Sequence, residues 1–167
     1  LEKLKAEVRA DLARRAEAAQ RQHLEGQALR QLGADWALEV PPSLVASQAR
    51  RILKERAVEL MSQGIPPEKV QEQAQALTAQ AKVDALQQVR IFFILRRIAA
   101  AEGFTAGEAE VEERVRALAV RLGTPAAELR MDLEKRDLLE EIAWGVVRKK
   151  VLDLIIQQAQ ITTQEAS

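Results

Sequence analysis

Two consecutive prolines, Pro41 and Pro42, interrupt a chain otherwise patterned as long amphipathic helix. They lie in the stretch Leu38-Glu39-Val40-Pro41-Pro42-Ser43-Leu44-Val45. Neither proline has an N–H, and each ring clashes with the preceding turn, so no helix runs through the pair. Pro41 also holds Val40 in an extended conformation. The stretch reads as a short extended joint between helices, with Ser43 placed to cap the next one.

Composition agrees with helices on both sides of the joint. Apolar residues make up 47% of the 167, but only 3% are aromatic, and Gly and Pro are few. Ala, Leu, Gln, Glu and Arg favour helix, which points to an all-α chain. The length suits one domain with a core, assigned to 1–160, followed by a polar tail at 161–167. Charge is balanced at 25 basic and 25 acidic residues, so the basic excess of a nucleic-acid binder is missing. There is no Cys, hence no disulfide framework. No apolar run of about 18 residues suggests a membrane span. The start, Leu-Glu-Lys-Leu-Lys, is neither a signal peptide nor an initiator Met, so the chain reads as part of something longer.

Apolar spacing of three and four places helices at 2–33, 43–63, 67–102, 106–122, 125–132 and 133–159. Gly33 is expected to stop the first helix. Gly64-Ile65-Pro66-Pro67 ends the second, and a proline of that pair starts the third. At about 1.5 Å per residue, the third would span about 54 Å. A compact globule of this size is only about 40 Å across, so the helix kinks or the molecule is elongated. Glu102-Gly103-Phe104-Thr105 is the next break, with Thr105 and Glu108 resembling a capping box. Val111, Val115, Leu118, Ala119 and Leu122 should face inward, and Gly123 should end that helix.

No catalytic constellation is legible. His23 is the only histidine, on a Gln/Arg/Glu helix surface without a partner for acid–base or metal chemistry. Glu108, Glu110, Glu112, Glu113, Glu140 and Glu141 read as solvated helix faces rather than a tuned carboxylate pair. The glycines are scattered, so no phosphate loop exists. Arg148-Lys149-Lys150 is the densest basic cluster and reads as snorkelling at a helix edge. No cofactor or metal is expected. The strongest signal is Ile91-Phe92-Phe93-Ile94-Leu95, which covers a whole helix circumference. Such a turn is either buried on all sides or exposes an apolar patch. Met61, Ile65, Phe104 and Trp144 raise the same question.

Several stretches carry a family resemblance. Leu4–Ala19, the Leu38–Val45 joint, Ile-Leu-Arg-Arg-Ile-Ala-Ala-Ala-Glu-Gly at 94–103, Val111–Gly123 and Val147–Thr162 follow one another in order. Their order and wording resemble the C-terminal, substrate-binding domain of trigger factor, the bacterial ribosome-associated chaperone. Related helical domains occur in the periplasmic chaperone SurA. The resemblance implies an elongated all-α body with two projecting arms around an apolar cradle. The cradle would hold unfolded or nascent polypeptides without ATP, in the cytoplasm. The family's ribosome-docking domain, with its Gly-Phe-Arg-x-Gly-Lys-type loop, and its FKBP-like prolyl isomerase domain have no counterpart in these residues. Ribosome contact and isomerase activity would thus lie in other parts of such a protein.

On this reading Met61, Ile65, Phe92, Phe93, Phe104 and Trp144 are the candidate contacts for polypeptide substrate. A homodimer is also allowed, because an empty apolar cradle can accept a second copy. The competing reading is a helical scaffold or self-association module packed against one fixed partner. Exposure separates the two: a scaffold presents one patch, a chaperone several.

Overall fold

The computed structural model describes residues 2–36 and 38–159, and among them seven helices and no strand. These are α1 (Glu2–Asp35), α2 (Pro42–Ser62), α3 (Pro67–Glu72), α4 (Ala74–Ala101), α5 (Glu108–Leu122), α6 (Ala126–Lys135) and α7 (Leu139–Gln158). The chain is all-α, as its composition implies. The tail expected at 161–167 lies outside the described residues.

Several boundaries move for identifiable reasons. Ser43 does not cap α2: Pro41 holds the N-cap position, and Pro42 is the first helical residue. Proline fits there because the first helical N–H has no intrahelical partner to lose. The capping box expected at Thr105 falls two residues later, where the Gly107 N–H donates to Glu110 Oε2 at 2.9 Å. The expected 67–102 helix breaks at Gln73 into α3 and α4. Residues from Gln71 to Ala76 are all exposed, so no packing reinforces the ladder there. Gly33 does not stop α1; it is a buried helical residue.

Four helix ends share one device. Gly64, Gly103, Gly123 and Asp137 have φ of 84°, 65°, 68° and 56°, the left-handed region. At each, the next residue's N–H reaches back to a carbonyl in the last turn: Ile65 to Leu60, Phe104 to Ala99, Thr124 to Ala119 and Leu138 to Leu133. These are Schellman caps, which satisfy otherwise orphaned carbonyls. Glycine takes the left-handed conformation without steric penalty, and Asp tolerates it better than most residues.

The chain divides into two units. The first comprises residues 1–28 and 95–167. Here α5 packs on both α6 and α7. Val115 and Ala119, four apart on α5, are buried, as are Leu133 of α6 and Val151 and Leu152 of α7. Polar ties cross the same contacts: Arg130 of α6 pairs with Glu112 of α5, and Lys150 of α7 lies 2.7 Å from Glu110 of α5. Arg21 of α1 pairs with Asp153 of α7. In contrast, Val8 and Leu12 of α1 are exposed.

The second unit comprises residues 29–94. It contains the end of α1, the proline joint, α2, α3 and most of α4, with α2 packed on α3. Its buried apolar residues are mostly small: Ala49, Ala81, Ala85, Val89 and Ile94. Ala81, Ala85 and Val89 repeat every four residues and form one stripe of α4. Alanine buries little area, and Trp36, Leu44, Val58, Met61, Val83 and Phe92 of this unit remain exposed.

Candidate functional site: exposed apolar helix faces

The second unit presents the fuller set. On α2, Leu44, Val58 and Met61 are exposed, and only Ala49 of that helix is buried. Val58 is 54% exposed and Met61 45%, and their spacing of three sets them side by side on one face. Ile65 lies just past the helix end, half-buried, at the position where a Schellman cap turns an apolar residue back toward its own helix. A shallow depression along α2 is lined by Val58 and by Arg51, Lys54, Glu55, Glu59 and Ser62. Of its charged residues, Arg51 pairs with Glu55 at 3.8 Å, and Glu59 pairs with Arg56 beside the depression at 2.9 Å.

The apolar run at 91–95 is divided. Ile94 and Leu95 are each only 1% exposed, Ile91 and Phe93 are half-buried, and Phe92 is 38% exposed. The Phe92 and Phe93 rings meet edge to face, with centroids 5.5 Å apart and planes at 80°. This is a favoured aromatic geometry, which steadies Phe92 while one side remains open. Trp36 and Val83 are exposed in the same unit.

In the first unit, Phe104 and Trp144 are both half-buried. Phe104 occupies the same cap position after Gly103 that Ile65 occupies after Gly64. The Arg96 guanidinium lies 4.8 Å from the Trp144 ring centroid, a cation–π contact that covers part of the indole. The most open apolar side chain of this unit is Val120, at 83%, and Leu12, Leu122 and Met131 are also exposed. Leu122 was expected to face inward, but it sits in the last turn of α5, beyond the buried Ala119.

Of the six candidate contacts, then, Met61 and Phe92 are exposed and the other four half-buried. Met61 and Ile65 lie together at the end of α2, and Phe92 and Phe93 are neighbours in α4, while Phe104 and Trp144 belong to the other unit. The sequence reading missed Trp36, Val58, Val83, Val120 and Met131. Val120 and Val83 sit next to buried Ala119 and near buried Ala81 and Ala85, so periodicity could have flagged them as outward.

Ionic chemistry is structural. Lys150 Nζ donates to the Thr105 carbonyl at 2.9 Å as well as to Glu110, while the Gly107 N–H donates to the same carboxylate. The Lys150 hydrogen bond first, and the Gly107 N–H second, hold the Glu110 carboxyl below its ordinary value. Lys149 pairs with Asp153 at 2.8 Å, so two of the three cations at 148–150 are engaged. His23 is exposed. Among the described residues no group of three or more His, Cys, Asp or Glu could hold a metal, and no helix is long and apolar enough to cross a membrane.

Among the described residues, then, the chain is a helical module with exposed apolar side chains in both units. The family model described as bacterial trigger factor protein C-terminus matches residues 1–157, and the chain belongs to that family of chaperones. The matched region is the chaperone part of trigger factor, not its isomerase part. Trigger factor from Opitutus terrae is 28% identical over 164 residues, covering 98% of this chain and 37% of that protein. Trigger factor from Streptococcus equi subsp. zooepidemicus is 30% identical over 166 residues, covering 96% of this chain and 38% of that protein. The chain thus spans little more than a third of the length of such relatives. A solved structure of trigger factor domains from Thermotoga maritima shares the fold, with a TM-score of 0.65 at 20% identity, covering 84% of this chain and 83% of that one.

Proposed function

We propose that this chain holds unfolded or nascent polypeptides on several open apolar helix faces, without ATP. The observation that carries this reading is the balance of burial. Five of the twelve buried apolar residues described are alanines, while Trp36, Leu44, Val58, Met61, Phe92, Val120 and Met131 stay exposed. A protein that needed these side chains only for its own stability would bury them, since full burial of one contributes about 1.5–3 kcal/mol. Their distribution over both units favours many weak contacts over one cleft. The depression beside Val58 is lined by two cations, Arg51 and Lys54, and two anions, Glu55 and Glu59, so its charge does not select one kind of substrate.

Within this reading Met61, Ile65, Phe92, Phe93, Phe104 and Trp144 contact substrate, with Val58 and Val120 added from their exposure. Residues 1–160 act as one helical chaperone domain. In a longer trigger factor, ribosome docking and prolyl isomerisation would belong to other segments, and the protein would work in the cytoplasm. A homodimer would bury the same faces when no substrate is present. The balanced charge supports a polypeptide rather than a nucleic acid as partner.

The test is light scattering by two unrelated denatured proteins diluted from denaturant, with and without the purified chain and without nucleotide. Suppression of both at near-stoichiometric ratios is expected. If a folded sample suppresses neither, the holding function is wrong for this chain alone, and a scaffold with one fixed partner becomes the better reading.

A further inference from the structure

One turn of α4, residues 87–91, meets three parts of the second unit. A Cβ on Gly33, in the last turn of α1, would touch Gln87 Cγ at 3.4 Å and Ile91 Cγ1 at 3.5 Å. Gln48 of α2 donates to Gln88 Oε1 at 2.6 Å. Between these helices, Arg90 Nε donates to the Leu38 carbonyl of the proline joint at 3.1 Å.

The last bond answers a deficit written into the sequence. A backbone carbonyl that turns or enters a helix is served by the N–H three or four residues on. For Leu38 those residues are Pro41 and Pro42, which have no N–H to give. The Leu38 carbonyl therefore needs a donor from elsewhere, and Arg90 supplies a charged one. Arg90 is half-buried and has no carboxylate partner among the described residues. Burial does little to hold the joint: Trp36 is exposed, and Leu38 and Val40 are only half-buried.

We propose that Arg90 is a positioning residue that clamps the joint and so fixes how α2, with Val58 and Met61, departs from the last turn of α1. Its effect on holding rests on the function proposed above. A clamped α2 presents its apolar face already oriented. A loose one spends part of its time in arrangements that cannot bind, and apparent affinity falls by the competent fraction.

The chain has no cysteine, so labels can be placed cleanly at the exposed positions Ser47 of α2 and Lys82 of α4 through Ser47→Cys and Lys82→Cys. Spin-label distance distributions are compared for Arg90, Arg90→Met and Arg90→Lys, with helix content and Tm recorded for each. Arg90→Met keeps the aliphatic stem but not the donor, so a broader distribution at unchanged helix content is expected. Arg90→Lys, which keeps a charged donor, should narrow it again. Affinity for a permanently unfolded, carboxymethylated protein should fall about threefold to fivefold in Arg90→Met and recover in Arg90→Lys. An unchanged distribution in Arg90→Met overturns the clamp. A broader distribution with unchanged affinity overturns its link to holding. If the Arg90 chain itself binds no unfolded protein, the proposed function fails, and the label widths alone decide the clamp. Should Arg90→Met lose helix content, Arg90→Leu, which also lacks the donor, is read instead, with a broader distribution expected and an unchanged one overturning the clamp.

Discussion

At Gly33 the sequence and the structure assign glycine different work. A glycine near the end of a helical pattern reads as a stop, but here the helix continues through Asp35 and the residue is buried against α4. An added methyl would meet Gln87 Cγ at 3.4 Å, the edge of ordinary contact with a side chain that can shift. Gly33→Ala should therefore leave Tm unchanged or raise it, since alanine is favoured in a helix by up to about 1 kcal/mol. Gly33→Leu should lower stability by about 1–3 kcal/mol through overpacking, measurable by urea denaturation. Glu110 gives a second outcome at this scale. Its carboxyl is held below the ordinary value of 4.5 by Lys150 and the Gly107 N–H. A lowered folded value means that the stabilising contribution is present above the ordinary value and is lost as pH falls through the folded one. Melts at neutral pH and below pH 4 should show a smaller acid-induced fall in Tm for Glu110→Gln than for the natural chain. An equal fall in both would mean that the Lys150 contact is not formed in solution.

Among the elements, the helices were legible and their caps only partly so. Gly64, Gly103 and Gly123 mark true ends because a left-handed residue is needed there and glycine supplies it. Asp137 performs the same role without announcing it, which is why the expected boundary near 133 moved to Leu139. The glycine caps offer a clean test, because a Cβ at Gly64, Gly103 or Gly123 would meet nothing within 4 Å. Each change to alanine should cost about 1–2 kcal/mol from backbone strain alone. Combining Gly64→Ala with Gly123→Ala, at separate helix ends, should add the two costs in chemical denaturation. The break at Gln73 was not legible, because no Gly or Pro stands there; it follows from missing tertiary contacts, which periodicity does not report. The candidate site was half legible for the same reason. Aromatic and Met residues were visible in the sequence, but whether an apolar face is covered depends on what packs on it. Leu122 fits the inward pattern of its helix, yet it is exposed.

For the molecule as a whole, the question is whether binding is shared among faces or concentrated in one. Met61 and Phe92 are exposed in one unit, Val120 and Leu122 in the other. Changing each pair to Gln removes apolar contact and keeps residues tolerated in helices. Partial, exchanging contacts of about 0.7 kcal/mol per pair would make each double variant about threefold weaker for an unfolded protein. If the faces act independently, the quadruple variant should then be about tenfold weaker, the product of the two. Tm should fall modestly where Phe92→Gln removes the ring contact with Phe93 and hardly move otherwise, so binding is compared at a temperature where all four chains are fully folded. Titration of a labelled, permanently unfolded protein into the four chains measures this directly. A multiplicative loss would mean that several weak faces share the load, which lets a chaperone engage unrelated chains and release them quickly. Complete loss from one pair, with the other silent, would instead show a single docking patch, the behaviour expected of a scaffold with one partner. The decisive quantity is the ratio between the quadruple and double variants, measured where each chain is fully folded by helix content.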